Sequence, residues 1–73
     1  MGYKRIEQLS DKQNDVAELL LRGWENKDIA KELKMGVVTV KEHMRKIRNR
    51  TNAKNCTQLA LEIYYIQCLL SDE

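Results

Sequence analysis

The chain has 73 residues, which leaves room for one domain. A domain of this length buries only about 60% of the surface that its unfolded chain exposes. A partner that covers apolar area would therefore stabilise it. It contains no proline and three glycines, and no apolar run approaches the ~18 residues of a membrane span, which predicts an all-α protein of the cytoplasm with no membrane partner. The formal net charge of +2 indicates no class of partner by itself.

The first predicted helix begins after Ser10. Ser10 and Gln13 form a capping box, in which the serine oxygen accepts from the third helical amide and the glutamine side chain accepts from the serine amide. Gly23 suits a left-handed residue just past the helix end, so the helix is predicted over about residues 11–22. The apolar stripe that this helix buries consists of Leu9, Val16, Ala17, Leu19, Leu20 and Leu21.

Two further helices are predicted on either side of a turn that contains Gly36. Asn26 is the predicted N-cap of the short second helix, which spans about residues 26–33, and the third helix spans about residues 37–50. Spacings of three and four residues identify their inward positions, which are Ile29, Ala30, Leu33, Val37, Val40, Met44 and Ile47.

Basic residues concentrate on another face of the third helix. Lys41, Arg45 and Arg48 lie four and three residues apart, away from the inward valines. The segment 41–54 holds six basic residues and one acid, so it carries a net charge of +5 and leaves −3 for the remainder of the chain. A concentrated basic segment on an otherwise slightly acidic domain is typical of a protein that binds nucleic acid.

A fourth helix is predicted from a cap at Thr57 through about residue 70. It is apolar almost all the way round, at Leu59, Ala60, Leu61, Ile63, Tyr64, Tyr65, Ile66, Cys68, Leu69 and Leu70. Because one small domain cannot cover both sides of such a helix, a second copy of the chain is predicted to cover the other side. Tyr64 and Tyr65 point about 100° apart, so at least one of them is expected in that subunit interface.

The two cysteines, Cys56 and Cys68, have no second pair and no histidine at metal-ligand spacing. Neither a zinc site nor a disulfide framework is therefore expected. Both residues are predicted to be buried as small apolar side chains, with a reactive thiol as the alternative.

Two short helices joined by a tight turn, the second with a basic outer face, form a helix-turn-helix arrangement. The second helix of such a pair fits the major groove of double-stranded DNA, where base edges present distinguishable donors and acceptors. The sequence therefore predicts DNA as the partner and the helix over residues 37–50 as the one that enters the groove.

The residues of this arrangement resemble a known family over about residues 9–70. The matching positions are Leu9-Ser10, Val16, Leu19-Leu20, Gly23, Asn26-Lys27-Asp28-Ile29-Ala30, Leu33, Thr39-Val40-Lys41, His43, Ile47 and Gln58-Leu59-Ala60. Their spacing is similar to that of the LuxR-type (GerE-like) DNA-binding domain. The resemblance divides the chain into an N-terminal extension (residues 1–8), the domain (residues 9–70) and a C-terminal tail (residues 71–73).

The resemblance implies a four-helix domain in which the third helix reads DNA and the fourth forms a dimer. The positions implied to read bases are Lys41, Glu42 and Arg45. Those implied to contact phosphates, which hold register without reading sequence, are Lys27, Thr39, His43, Lys46, Arg48 and Arg50. The expected dimer interface comprises Leu61, Tyr64, Tyr65, Cys68 and Leu69.

The sequence departs from the family pattern at three positions. Gly36 stands where a serine usually caps the third helix, which weakens the cap by a few tenths of a kcal/mol. Gln13 replaces a glutamate, and Cys56 replaces an arginine before the fourth helix. Each replacement is expected to weaken a stabilising contact that is usual in the family. Glu42 on the reading face is compatible with DNA, because a carboxylate accepts from the amino group of cytosine.

No enzymatic site is expected. His43 is the single histidine and has no nucleophile or second acid placed to form a triad with it, so it is predicted either to face a phosphate or to pack beneath the third helix. Trp24 is expected to cover the core rather than stack on a base. No cofactor, metal or small-molecule ligand is predicted for this chain.

Two functions from different classes remain open at this point. The first is a dimeric, sequence-specific transcriptional regulator, activating or repressing, either complete in itself, which Met1 favours, or the output domain of a longer protein. The second is an interaction protein that uses the fourth helix to inhibit a related LuxR-type regulator by heterodimerisation. RNA polymerase is a further candidate partner, whereas a sigma-factor-like region is disfavoured by the extra helix after Thr57.

Overall fold

The computed structural model describes residues 2–71, which form four α-helices: α1 (Asp11–Leu21), α2 (Asn26–Leu33), α3 (Val37–Thr51) and α4 (Cys56–Leu70). This part of the chain holds no strand, and the predicted all-α, four-helix architecture is confirmed. Both α1 and α3 contact each of the other three helices, whereas α2 and α4 do not contact each other within residues 2–71. None of the helices described is long and apolar enough to cross a membrane.

The core lies between α1, α3 and the inner faces of α2 and α4. Its buried apolar residues are Ile6, Leu9, Val16, Ala17, Ile29, Ala30, Val40, Met44, Ile47, Leu59 and Ile63. The inward positions predicted from helical spacing are therefore mostly confirmed. Leu33 is half-buried at the edge of the core, and Val37 is wrong as an inward residue, because its side chain is 40% exposed in the first turn of α3.

The start and the end of α1 follow the local signals in the sequence. Ser10 Oγ accepts from the amide of Gln13 at 3.2 Å and Gln13 Oε1 accepts from the amide of Ser10 at 3.1 Å, which confirms the capping box. Gly23 has a φ of 89°, and the amides of Gly23 and Trp24 donate to the carbonyls of Leu20 and Leu19 at 2.9 and 3.1 Å. This Schellman ending turns the chain towards α2.

The predicted caps of α2 and α4 are wrong by one or two residues. Glu25, not Asn26, occupies the N-cap of α2 and makes no side-chain cap, because Asn26 already has helical backbone angles. Asn55, not Thr57, caps α4, and its Oδ1 accepts from the amide of Gln58 at 2.8 Å. The amide side chain of Asn55 reaches the third helical residue, so α4 begins earlier than the sequence predicted.

The left-handed residue in the turn between α2 and α3 is Lys34, not Gly36. Lys34 is left-handed, with a φ of 57°, and the amide of Met35 donates to the carbonyl of Ala30 at 3.0 Å. Gly36 has a φ of −76° and a ψ of 157°, which any residue adopts. The glycine therefore serves as the N-cap of α3, without a side chain to accept from the helix.

Serine in place of glycine at this cap is expected to stabilise the protein by a few tenths of a kcal/mol. The Gly36→Ser side chain meets nothing nearer than Thr39 Oγ1 at 4.0 Å, and its oxygen can accept from a free amide in the first turn of α3. The melting temperature should rise by about one to three degrees, measured by circular dichroism. Gly36→Ala, which fits equally well but offers no acceptor, is the control, and an equal rise in both variants would contradict the capping argument.

Residues before α1 pack onto the helices. Ile6 is buried in the core, and the backbone of Lys4 pairs with the buried side chain of Gln67 in α4, through Lys4 N to Oε1 at 2.6 Å and Nε2 to Lys4 O at 2.7 Å. The segment is also held by an exposed ion pair of 2.7 Å between Arg5 and Asp11. The N-terminal segment therefore connects α1 with α4.

Tyr3 makes the stability of this segment decrease at alkaline pH. Its hydroxyl donates to Asn14 Oδ1 at 2.7 Å, and burial, with the nearby charges of Glu18 and Asp15, raises the pKa of Tyr3 to about 12. Because this value exceeds that of about 10 in the unfolded chain, the stabilising contribution is complete below about pH 10 and is lost as the pH rises through about 12.

We therefore expect urea unfolding to show that wild type exceeds Tyr3→Phe in free energy of unfolding by about 1 kcal/mol near neutral pH. The difference should shrink between about pH 10 and 12, since only wild type must then keep a phenol neutral or bury a phenolate. The two proteins differ only at residue 3, so their comparison isolates the contribution of the Tyr3 hydroxyl. A difference that stays constant over this range would contradict the assigned role of Tyr3.

Candidate nucleic-acid interface

The helix α3 has one face in the core and the opposite face in solvent. Val40, Met44 and Ile47 are buried, with at most 3% of each side chain exposed. The residues predicted to read bases, Lys41, Glu42 and Arg45, are all exposed and lie within about four residues of one another, hence within little more than one turn. The structure thus brings this set together on the outer side of α3.

An ion pair links two residues of this set. Arg45 Nη2 lies 3.8 Å from Glu42 Oε1, and the two side chains are 58% and 55% exposed. An exposed pair at this distance contributes little to stability, so Arg45 can leave Glu42 for another partner at small cost. The carboxylate nevertheless reduces the positive charge at the centre of the face predicted to read bases.

Four of the six residues predicted to contact phosphates are exposed, namely Lys27, Thr39, Lys46 and Arg50. Thr39 lies in the first turn of α3, Lys46 lies in its third turn, and Lys27 is the second residue of α2. Helical geometry places Thr39 and Lys46 on the flank of α3 opposite to Lys41, since the two residues are seven apart. The predicted phosphate contacts therefore lie beside the predicted base contacts rather than among them.

His43 is half-buried at the edge of the core. Its Nδ1 atom is buried and has no hydrogen-bond partner among residues 2–71. Nε2 is consequently the ring nitrogen through which His43 could meet a phosphate. The half-buried position is compatible with packing beneath α3, and the phosphate contact of His43 stays a prediction.

Arg48 and Arg50 are hydrogen-bonded to backbone carbonyls. Arg50 Nη1 donates to Gln8 O at 2.6 Å, and Arg48, which is half-buried, donates from Nη1 to Lys54 O at 3.5 Å. Each guanidinium has five N–H donors, so both keep donors and the full positive charge for a phosphate. Arg50 thereby links the segment before α1 to α3, whereas the contact of Arg48 with the loop between α3 and α4 is long.

The outer face of α3 also includes Val38 and Asn49, which the sequence analysis did not single out. Both are exposed, and Val38 is 73% exposed. The same spacing that grouped the basic residues would have found them, since Val38 precedes Glu42 by four residues and Asn49 follows Arg45 by four. Neither side chain is charged, so the pattern of basic residues does not contain them.

The helix α4 buries one face and exposes a broad apolar one. Leu59, Ile63 and Gln67 are buried against the other helices. All five residues of the expected dimer interface are exposed, namely Leu61 (64%), Tyr64 (60%), Tyr65 (61%), Leu69 (59%) and Cys68. The single chain therefore covers neither tyrosine, and the apolar surface is larger than a scatter of isolated residues.

The prediction that both cysteines are buried in the chain is wrong. Cys56 and Cys68 are exposed free thiols. Cys56 is the first residue of α4, where the helix end meets solvent, and Cys68 lies five residues after Ile63, on the opposite face of the helix. Because α4 is apolar on all sides, its sequence pattern does not predict which face is buried.

Two further predictions from the sequence concern Trp24 and metal binding. Trp24 is half-buried and packs against the core, as expected. No group of three or more histidine, cysteine or acidic side chains in residues 2–71 is arranged to hold a metal ion.

Comparison with known proteins agrees with this arrangement. The family model of bacterial regulatory proteins, luxR family (GerE), matches residues 7–63, which confirms the resemblance seen in the sequence. The chain is also similar to YhjB of Escherichia coli (strain K12), named provisionally as an HTH-type transcriptional regulator, with 34% identity over 58 residues. That match covers 80% of this chain and 29% of the relative, so the chain spans less than a third of its relative. No solved structure matches the chain.

Proposed function

Because the chain belongs to the luxR family of bacterial regulatory proteins, we propose that it is a transcriptional regulator that reads double-stranded DNA with α3 in the major groove. The observation that carries this proposal is the division of α3, whose inner side is buried while Lys41, Glu42 and Arg45 stand exposed on its outer side. The major groove is about 12 Å wide and admits such a helix.

The side chains on the outer face suit base edges. Arg45 and Lys41 donate hydrogen bonds, and a basic side chain on the O6 and N7 atoms of guanine contributes about 1–3 kcal/mol of discrimination. Glu42 can accept from the amino group of cytosine or hold Arg45 in position through their ion pair of 3.8 Å. We assign specificity to these three residues.

The flanks of α3 and the start of α2 supply the contacts that set register. Lys27 and Lys46 carry exposed charges for phosphates on either side of the groove, and Thr39 offers a hydroxyl. His43 would reach a phosphate through Nε2. Arg48 and Arg50 would add charge while they hold their loops.

The exposed apolar face of α4 supports a homodimer. Leu61, Tyr64, Tyr65 and Leu69 each expose more than half of their side chains, and association would remove this apolar area from water. A dimer would present two copies of α3 to half-sites about 34 Å apart. The affinity for two half-sites then exceeds that for one, because the second contact is intramolecular.

The same face of α4 favours one other function, inhibition of a related regulator by heterodimerisation. An inhibitor of this kind needs α4 but not the exposed basic residues of α3, so DNA affinity separates the two functions. Tight binding to a relative, with DNA affinity no better than about 10⁻⁴ to 10⁻⁶ M, would favour the inhibitor.

The test is selection from a library of randomised DNA duplexes at two salt concentrations, followed by sequencing of the retained duplexes. We expect one enriched motif with two half-sites. If a dimer neutralises about eight phosphates, affinity should fall roughly 10⁴-fold between about 50 and 200 mM salt. Binding that depends on salt but enriches no motif would overturn the proposal, since it would show electrostatic attraction without base reading.

A further inference from the structure

Val38 is an apolar side chain on the face of α3 that we assign to base reading. It is the second residue of α3 and 73% of it is exposed, although valine forms helices less well than the lysine, glutamate and arginine that follow on the outer side of the helix. Its position is four residues before Glu42 and seven before Arg45, so the three residues follow one another along the outer side of the helix.

The surface of Val38 is not used inside the chain. It is absent from the buried core and from the half-buried residues that pack against the core, whereas its neighbour Val37 is 40% exposed and lies about 100° further round the helix. A single exposed valine is ordinary on a protein surface, but this one stands in the helix turn that enters the groove first.

One feature of the major groove matches an apolar side chain at this place. The C5-methyl group of thymine is the apolar group that base edges present there, and apolar protein groups contact it. On the basis of the proposed function, we infer that Val38 selects thymine at one position of each half-site. Val37 precedes Lys41 by four residues but is less exposed than Val38, 40% against 73%, so Val38 offers the larger aliphatic surface on this side of α3.

The helix geometry places that thymine. Val38 and Arg45 are seven residues apart, which corresponds to about 10.5 Å along the helix axis. A recognition helix lies inclined in the major groove, so this length covers fewer base pairs than the rise of about 3.4 Å per base would give. The thymine read by Val38 should therefore lie about two to three base pairs from the base read by Arg45. The pair thus predicts a spacing within the half-site as well as a base.

The experiment combines a protein variant with a base analogue. Once the selected motif is known, each thymine of the half-site is replaced in turn by deoxyuridine, which lacks only the methyl group. Affinities are measured for wild type, Val38→Ala and the control Val37→Ala, which loses the same two methyl groups at the neighbouring position. Val38→Ala should remain folded, because alanine is exposed there and favours the helix.

We expect deoxyuridine at one position, about two to three base pairs from the base read by Arg45, to weaken wild-type binding about fourfold, the effect of losing one buried methyl group. Val38→Ala should bind the unmodified site more weakly and be insensitive to the analogue, whereas Val37→Ala should keep the wild-type sensitivity. If Val38→Ala keeps that sensitivity, or if no thymine position matters, this inference is wrong while the proposed function stands. If no motif is selected, both are wrong.

Discussion

Replacing Asn14 by alanine is expected to lower the free energy of unfolding by about 3 kcal/mol. The side chain is 95% buried, with 5% exposed, and its amide group joins the N-terminal segment to α1. Its Oδ1 accepts from the amide of Ile6 at 2.8 Å and from the hydroxyl of Tyr3 at 2.7 Å. Its Nδ2 lies 3.0 to 3.2 Å from three carbonyl oxygens, those of Ile6, Leu9 and Ser10.

Alanine would leave the buried amide of Ile6, the carbonyl of Leu9 and the hydroxyl of Tyr3 without their partner, whereas the carbonyls of Ile6 and Ser10 keep backbone donors. Each orphaned buried group costs about 1–3 kcal/mol. A domain of this size has a total stability of about 4–11 kcal/mol, so the loss is a large part of it. Urea unfolding followed by circular dichroism measures the change. Asn49→Ala, at an exposed position of α3, should change stability by less than about 0.5 kcal/mol. A loss below about 1 kcal/mol for Asn14→Ala would show that Asn14 does not hold the segment.

The double substitution of Leu61→Gln with Tyr65→Gln is expected to reduce affinity for a two-half-site duplex by about 10²- to 10⁴-fold. Both residues lie on the outward face of α4 and are more than half exposed, so the fold of one chain loses little. The loss instead falls on the dimer, whose interface would bury both side chains. Affinity for a single half-site should stay close to that of wild type.

Analytical ultracentrifugation and binding to one- and two-half-site duplexes measure the two effects. Leu70→Gln is the matched control, because Leu70 is 46% exposed on the last turn of α4 but lies outside the predicted interface. Glutamine adds no charge, so it does not change attraction to DNA. If the double variant remains a dimer and keeps its two-site affinity, the homodimer through α4 is contradicted.

The helices could be predicted because their signals are local. Ser10 and Gln13 are three residues apart, and Gly23 directly follows the C-cap Arg22, so a short segment contains all the information for both ends of α1. The inward residues of α3 follow from spacing for the same reason. The outer face of α3 was then predictable as the complement of its buried face.

The contacts that tie the segments together could not be predicted, because they join residues far apart in the sequence. Arg50 donates to Gln8 O over 42 residues, and Gln67 pairs with the backbone of Lys4 over 63. Nothing near Arg50 distinguishes a basic residue that faces a phosphate from one that holds a loop. The hydrogen bond from Arg50 to Gln8 is therefore visible in the structure but not predictable from the local sequence.

The apolar helix α4 shows the limit of periodicity in another way. Cys68 and Ile63 are both apolar, yet Ile63 is buried and Cys68 is exposed. When every side of a helix is apolar, spacing cannot tell which side meets the core. The inference of a second covered face was possible from the sequence, whereas the identity of that face required the packing of α4 on α1 and α3.

The central claim is that α3 reads base sequence, and the most direct measurement repeats the duplex selection with Lys41→Ala, Arg45→Ala and Lys12→Ala. Lys12 is an exposed lysine in the first turn of α1, so its loss matches the change in charge without touching α3. We predict that Lys41→Ala and Arg45→Ala each relax the motif at a different position and weaken binding to the selected site about 10- to 100-fold. Lys12→Ala should recover the wild-type motif. If all three variants recover it unchanged, α3 does not read the bases and the account is wrong.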